Sequence, residues 1–390
     1  MTKLKLFCIA VTLFILSGML TGCVESNAVD RRAIIQVIGM DYQGGKFKAT
    51  LEFFESKGSG DQLIDITQTN SRITTGEGIT VNAAISNASF PNGKVPFYAQ
   101  SSFLILGREL AEEKMDNIME FINHDIDLRV DTQIYIADGR AADVISDKVD
   151  RGVLPGEFLE RLNDVYFSSS LIPQVQYYQF ANYYYSNYLA AALPLITTEE
   201  IDQQEEPGTG GSEQAETGAP NRKMAYKGVE IIQNKQAVGS LDLAATRGML
   251  WLTDQVSSTG INTVMKDGTP LSMDVLSSET IVKPVYEEDS GIRFEVRINN
   301  VVNLWEYKYV DLDSVNMEEY QKLDNQVSQI IEQECRQAWE QAVLNYHADI
   351  FGYGDRLRSA YPALGDWLDE HWKEALPQVE LKLEIHNRIE

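Results

Sequence analysis

The 390-residue sequence predicts an α/β (mixed α+β) protein of several domains, each a mixed or antiparallel β-sheet flanked by helices. Three observations carry that prediction. Short segments alternate apolar and polar residues, as Phe47, Ala49, Leu51 and Phe53 do against Lys48, Thr50 and Glu52. A stripe with the helical period runs from Met317 to Tyr346 in the C-terminal half. An acidic stretch, Thr197 to Asn221, divides the rest into halves of similar size.

The elements follow in chain order. Ala33 to Met40 is an apolar run that reads as a buried strand, and Asp41-Tyr42-Gln43-Gly44-Gly45 supplies turn chemistry before the Phe47–Phe53 strand. A short helix is expected around Ile79 to Ala88, and a strand from Phe97 to Leu106. Leu110, Met115, Ile118, Met119 and Ile122 have helical spacing. Thr132 to Ala137 reads as a strand and Ala141 to Val149 as another short helix. Seven tyrosines, 166, 177, 178, 183, 184, 185 and 188, then crowd together. They fit an amphipathic helix packing rings on a sheet, or a partner-binding face, since Tyr joins apolar area to a polar tip.

Thr197 to Asn221 carries seven acids, no Lys or Arg, and several Gly and Pro, a composition expected of a connector. The expected organisation is therefore a signal over 1–22, an N-terminal α/β region over 23–196, a linker over 197–221 and a C-terminal α/β domain over 222–390. The N-terminal region admits a further division that the sequence does not place. In the C-terminal part, strands are expected at Lys227–Asn234, Gln236–Leu243, Met249–Thr253, Glu279–Tyr286 and Ile292–Val302. Asn316 and Glu319 suit an N-cap and its third helical position, opening a helix of about eight turns. Val379, Leu381, Leu383 and Ile385 alternate with Glu380, Lys382, Glu384 and His386, a closing strand with one wet face.

Composition narrows the function. With 44% apolar and 23% charged residues the chain is globular, and a net charge of −25 argues against a nucleic-acid partner. At the amino end, Lys3 and Lys5 precede the eleven-residue apolar run Leu6–Leu16, too short to span a bilayer core of roughly 30 Å. Leu20-Thr21-Gly22-Cys23 follows and resembles a bacterial lipobox, which would make Cys23 the lipidated first residue of the mature chain. Residues 1–22 hold two Lys and no acid, so the remainder carries 31 bases against 58 acids, a net −27. Cys8 would leave with the signal, and Cys335 would remain as the one free thiol, expected buried and inert within the long helix.

No catalytic constellation emerges. Gly76-Glu77-Gly78 and Gly352-Tyr353-Gly354 each lack the third glycine of a dinucleotide fingerprint, and read as the start of a helix and as a turn. His124, His347, His371 and His386 are scattered at helix ends or on polar faces, with no metal-binding spacing. The pairs Glu287-Glu288 and Glu318-Glu319 are neighbours in sequence and give no acid–base geometry. No enzyme activity, metal or cofactor is expected.

The ordered segments carry a resemblance. The lipobox, Ile35-Gln36-Val37-Ile38-Gly39-Met40-Asp41, Phe103-Leu104-Ile105-Leu106-Gly107-Arg108-Glu109-Leu110-Ala111, Val238-Gly239-Ser240-Leu241, Thr246-Arg247-Gly248-Met249-Leu250-Trp251, Asp349-Ile350-Phe351-Gly352-Tyr353-Gly354, Tyr361-Pro362 and Trp367 resemble the C subunits of bacterial spore germinant receptors, the Ger(x)C lipoproteins. The chain departs from many relatives at Gln100 and at His124-Asp125. The resemblance implies a palmitate-type lipid anchor at Cys23, placement on the outer face of the spore inner membrane, and two membrane-embedded receptor subunits as partners. It also implies a role in nutrient-triggered germination with no known catalytic activity. It leaves open whether the chain itself binds a nutrient. A solute-binding lipoprotein feeding a transporter is the alternative reading.

Overall fold

The structure, a computed structural model, describes residues 32–54, 71–90, 93, 95–124, 128–146, 154–200, 222–288, 291–307 and 316–390. The expected signal, Cys23, Asp125, 147–149 of one expected helix and 201–221 of the acidic stretch lie outside the described residues.

Strands β1 (Arg32–Gln43) and β2 (Lys46–Phe54) form the expected hairpin. Gly44 and Gly45 turn it at φ 58° and 79°, which costs a side-chain-bearing residue far more than glycine. β3 (Ser71–Gly78) pairs antiparallel with β2. Gly76 and Gly78 thus lie in a strand, and not at the start of a helix as expected. Helix α1 (Val81–Ser89) begins after them, with Thr80 Oγ1 accepting from Ala83 N–H at 3.1 Å. It packs so closely on β3 that a Cβ at Gly76 would meet Ala88 N at 2.2 Å.

The expected strand Phe97–Leu106 is divided between β4 (Val95–Phe97) and β5 (Phe103–Gly107), both parallel to β1. The expected helix over 110–122 is likewise two, α2 (Arg108–Glu113) and α3 (Met115–His124), parted at Lys114, where φ −134° leaves the helical region. Leu110, Met115, Ile118, Met119 and Ile122 are nonetheless all buried, because both helices turn the same stripe to the sheet. After β6 (Gln133–Ala137) come α4 (Ala141–Val144), α5 (Pro155–Ser168) and α6 (Tyr177–Tyr184).

β7 (Ala191–Glu200) and β8 (Arg222–Gln233) overturn the expected linker start. They pair antiparallel from Ala191↔Ile232 to Glu200↔Arg222, so residues 197–200 are strand. Acidic composition misleads there because Glu199 and Glu200 are exposed at the strand's end. β8 and β9 (Gln236–Leu241), placed with the C-terminal domain by sequence, complete the N-terminal sheet. Its order is β3-β2-β1-β5-β6-β7-β8-β9, with β4 beside β1, and β1, β5, β6 and β7 run parallel. Apolar clusters cover both faces, one built with α1, α2, α3 and α6 and the other with α4 and α5, giving three layers.

The expected strand Met249–Thr253 is a helix, α7 (Leu243–Leu252), capped by Asp242 Oδ1 accepting from Ala245 N–H at 2.8 Å. Seven of its ten residues are buried, among them the whole run Met249–Leu252, and a short continuous apolar run cannot be told from a buried strand by periodicity. β10 (Thr259–Val264), β11 (Pro270–Glu287), β12 (Gly291–Tyr307) and β13 (Glu380–Ile389) make a second sheet in that order, antiparallel except that β13 runs parallel to β12. The long helix α8 (Met317–Trp339) continues through a π-helical segment, Glu340–Asn345, and Asn316 Oδ1 caps it by accepting from Glu319 N–H at 3.0 Å. Leu323, Val327 and Ile331 are fully buried along its stripe, each worth about 1.5–3 kcal/mol. Helices α9 (Tyr353–Ala360) and α10 (Gly365–Ala375) complete this core, which also takes in Tyr188, Leu189, Ala190, Val229 and Ile231. Residues beside and within the N-terminal sheet are therefore packed into the C-terminal core.

Candidate functional site

Three buried carboxylates each hold the start of a helix. Asp41, near the end of β1, accepts from Ala141 N–H at 2.8 Å and Ala142 N–H at 3.1 Å, tying α4 to the sheet. A Cβ at Gly107 would stand 2.1 Å from Asp41 Oδ1, so the strand beside it must carry glycine. Glu52 accepts from Gly156 N–H at 2.8 Å at the start of α5. Asp349, fully buried, accepts from the N–H groups of Phe351, Tyr353 and Gly354 at 3.2, 3.1 and 2.7 Å, and from Trp372 Nε1 at 2.9 Å. Burial pushes the Asp41 and Asp349 carboxyls above their ordinary range, and these donors pull them back.

The segment Thr246–Trp251 plays a matching part between α7 and α8. Arg247 Nε donates to Glu334 Oε2 at 2.9 Å, its Nη2 pairs with Glu334 Oε1, and Trp251 Nε1 donates to Glu334 Oε2 at 3.0 Å. A Cβ at Gly248 would lie 1.9 Å from the Glu334 carbonyl oxygen, which makes this the point of closest helix approach. The ordered sequence segments thus supply buried caps and close contacts.

A charged cluster gathers at the carboxyl ends of the parallel strands, where open α/β sheets present their ligand crevice. Arg108 Nη2 donates to Asp138 Oδ1 at 2.8 Å, and Lys227 Nζ donates to Asp138 Oδ2 at 2.6 Å. Arg108 Nη1 stands 3.3 Å from Glu230 Oε2, an ion pair with a carboxylate that is 1% exposed. Burial pushes Glu230 up to about 7, against the nearby Arg108 charge and with help from Glu112 and Asp138. The hydrogen bond from Lys227, ahead of that from Arg108, holds Asp138 below its ordinary value. Beside the cluster a cavity of about 320 Å³ is lined by Asp41, Lys48, Thr50, Glu77 and Arg140 among others. The group ties the start of α2 and the residue just after β6 to β8 through ion pairs. Sequence reasoning missed it, although one acid inside the apolar run Val229-Glu230-Ile231-Ile232 was a usable signal.

The tyrosines act chiefly as ties between layers. Tyr177 Oη donates to Asn123 Oδ1 at 2.6 Å, Tyr184 Oη to Asp116 Oδ1 at 2.9 Å and Tyr188 Oη to Asp355 Oδ1 at 2.5 Å. Tyr166 packs edge-on against Tyr226 with ring centroids 5.0 Å apart, and Tyr178 and Tyr185 are left on the surface. His124 ends α3 with Nδ1 2.8 Å from the Glu120 carbonyl oxygen. His347 follows the long helix at φ 51°, His371 stacks on Trp367, and His386 is exposed on β13. Cys335 is fully buried, which raises its thiol well above the ordinary value. Gly352, at φ 69°, is the turn before α9, as expected. Among the described residues no group of three or more His, Cys, Asp or Glu could hold a metal ion, and no helix is long and apolar enough to cross a membrane.

Two family models match the chain. That of the spore germination protein N-terminal domain covers residues 25–198, and that of the spore germination B3/GerAC-like C-terminal domain covers 227–390. Spore germination protein B3 of Bacillus subtilis (strain 168) is 22% identical over 327 residues, 81% of this chain and 79% of its own length. Among solved structures, the crystal structure of the GerBC protein shares the fold with a TM-score of 0.53 and 18% identity, covering 90% of this chain and 96% of that one.

Proposed function

Because the chain belongs to the GerAC-like family of spore germination proteins, the Ger(x)C family, we propose that it is the C subunit of a nutrient germinant receptor, lipid-anchored through Cys23 and non-enzymatic. It acts in spore germination through contacts with two membrane-embedded receptor subunits, from the outer face of the spore inner membrane. The observation that carries this reading is the ordered match of both family domains over 25–198 and 227–390. The use of the signature residues supports it: Asp41, Gly107, Gly248 and Asp349 join elements to one another. A body built this way signals only through different contact energies with the resting and triggered receptor. Deleting the chain, or changing Cys23→Ala, in spores that keep this receptor alone should abolish nutrient-triggered germination. Germination at the normal rate in both strains refutes the assignment.

A second reading rests on one cavity. A space of about 310 Å³ at the seam between the first sheet and the C-terminal core is lined by Gln174, Gln179, Asn182, Tyr183 and Gln255, amide and hydroxyl groups suited to a small polar solute. Titration calorimetry of the isolated body with amino acids and sugars separates the two readings: micromolar binding by this chain alone favours a solute-binding lipoprotein.

A further inference from the structure

Four large apolar side chains stand in solvent at one end of the first sheet: Phe90 (67% exposed), Val95 (56%), Val130 (65%) and Tyr178 (49%). The register places them together. Val95 pairs with Arg32, the first residue of β1. Val130 lies three residues before Gln133, which pairs with Phe103 where β5 and β6 begin, and its carbonyl accepts from Tyr178 N–H at 3.1 Å. Helix α1 runs back along β3, with Gly78 against Ala84 and Gly76 against Ala88, and so delivers Phe90 toward the same end. This is the amino-terminal end of the parallel strands, from which the chain leads back to Cys23. In the segment between α3 and β6, which also carries Asp125 and Asp127, Arg129 Nε donates to Asp131 Oδ1 at 2.7 Å. That pairing limits repulsion between Asp131 and anionic headgroups.

Chain length selects the occupant. Eight residues separate Cys23 from Arg32 and the nine steps reach at most about 30 Å, whereas the 12 residues of β1 alone span roughly 40 Å. A lipid on Cys23 therefore keeps this end of the sheet within reach of the bilayer, while the tether by itself leaves the body free to turn. We infer that this end rests on the membrane, with Phe90, Val95, Val130 and Tyr178 set into the headgroup layer. Aromatic and branched side chains favour that region, and contact there fixes the orientation of a body that a lipid alone would leave free to tumble. The inference rests on the proposed anchor at Cys23, and its test is arranged so that the two can fail separately.

The chain from residue 23 onward is coupled through the Cys23 thiol to maleimide lipid in phosphatidylglycerol–phosphatidylethanolamine vesicles. Cys335 is fully buried and does not compete. Hydrogen exchange is then compared between tethered and free protein. Amides of 95–97, 129–133 and 177–180 should slow by about threefold or more on vesicles, while those of β10 and β11 keep their rates. The double substitution Val95→Asp, Val130→Asp should remove the slowing and leave exchange in the sheet interior unchanged. Equal exchange with and without the tether overturns the inference. So does slowing that appears without vesicles as protein concentration rises, because a second copy would then be the occupant. Mass spectrometry of residue 23 from spores reports separately on natural lipidation, since the chemical coupling supplies the tether in either case.

Discussion

The carboxylate of Asp349 receives the indole N–H of Trp372 at 2.9 Å, joining the chain just before α9 to the body of α10. Three backbone N–H groups share the same carboxylate, so one buried side chain satisfies four donors. Asp349→Ala leaves all four without an acceptor in a dry site, at about 1–3 kcal/mol each when nothing replaces the bond. Local relaxation lowers the sum, and a loss of about 4 kcal/mol in urea denaturation is expected. Trp372→Phe removes one donor and keeps most of the ring volume, so it should cost about 1–2 kcal/mol. Equal losses for the two variants would show that packing, and not the carboxylate, holds this corner.

The crossing of α7 over α8 makes a steric prediction. A methyl at residue 248 would sit 1.9 Å from the carbonyl oxygen of Glu334, and helix backbone cannot yield as a flexible side chain does. Gly248→Ala should force the helices apart, strain the Arg247–Glu334 pair and cost about 3 kcal/mol. Arg247→Met tests the pair itself: it leaves the Glu334 carboxylate with Trp251 Nε1 in a mostly buried site, and a loss of about 3 kcal/mol is expected. Melting temperatures of both variants within a degree of the parent would contradict this account of the helix contact.

The β7–β8 pairing predicts how the halves behave when the chain is cut. A site-specific protease sequence placed within 201–221 allows one break between two paired strands. Ten registered pairs and the shared core should keep the fragments together. They should co-elute in gel filtration under native conditions and separate only in denaturant. Two independent folded pieces after cleavage would show that the acidic stretch divides the fold after all.

The parts of this fold legible in sequence were those whose cause is local. Asn316 and Glu319 announce the cap of α8, its 3.6-residue stripe announces the helix, and the alternation at Phe47–Phe53 announces β2. Where cause is distant the sequence misleads. The run Met249–Thr253 is apolar because sheet and helix surround it, which hides its helical period. Glu199 and Glu200 look like linker because nothing local shows that Arg222 and Lys223 lie opposite them. The Arg108–Asp138–Lys227–Glu230 cluster draws on residues up to 122 positions apart, brought together only by strand order. The quoted segment containing Arg108 marked one member, but its role depends on which strand comes to lie next to β7.

Glu230 gives the cluster a measurable signature. Its carboxyl titrates at about 7 in the folded protein, against an ordinary value of 4.5. Between those values the native state binds more protons than the unfolded one, so stability must fall as pH rises through that window. A shift of that size corresponds to at most about 3 kcal/mol lost between pH 5 and pH 8. The lowered Asp138 acts in the opposite sense and below its ordinary value of 3.8, outside this window. Glu230→Gln carries no such proton, keeps the side-chain volume and leaves Arg108 its bond to Asp138. The variant should therefore lose most of the pH dependence between 5 and 8 and be more stable than the parent at pH 8 by about 1–3 kcal/mol. Denaturation curves at several pH values across this range provide the comparison. Parallel pH profiles for parent and variant would mean that Glu230 is ionised throughout, and that Arg108 offsets the whole cost of its burial.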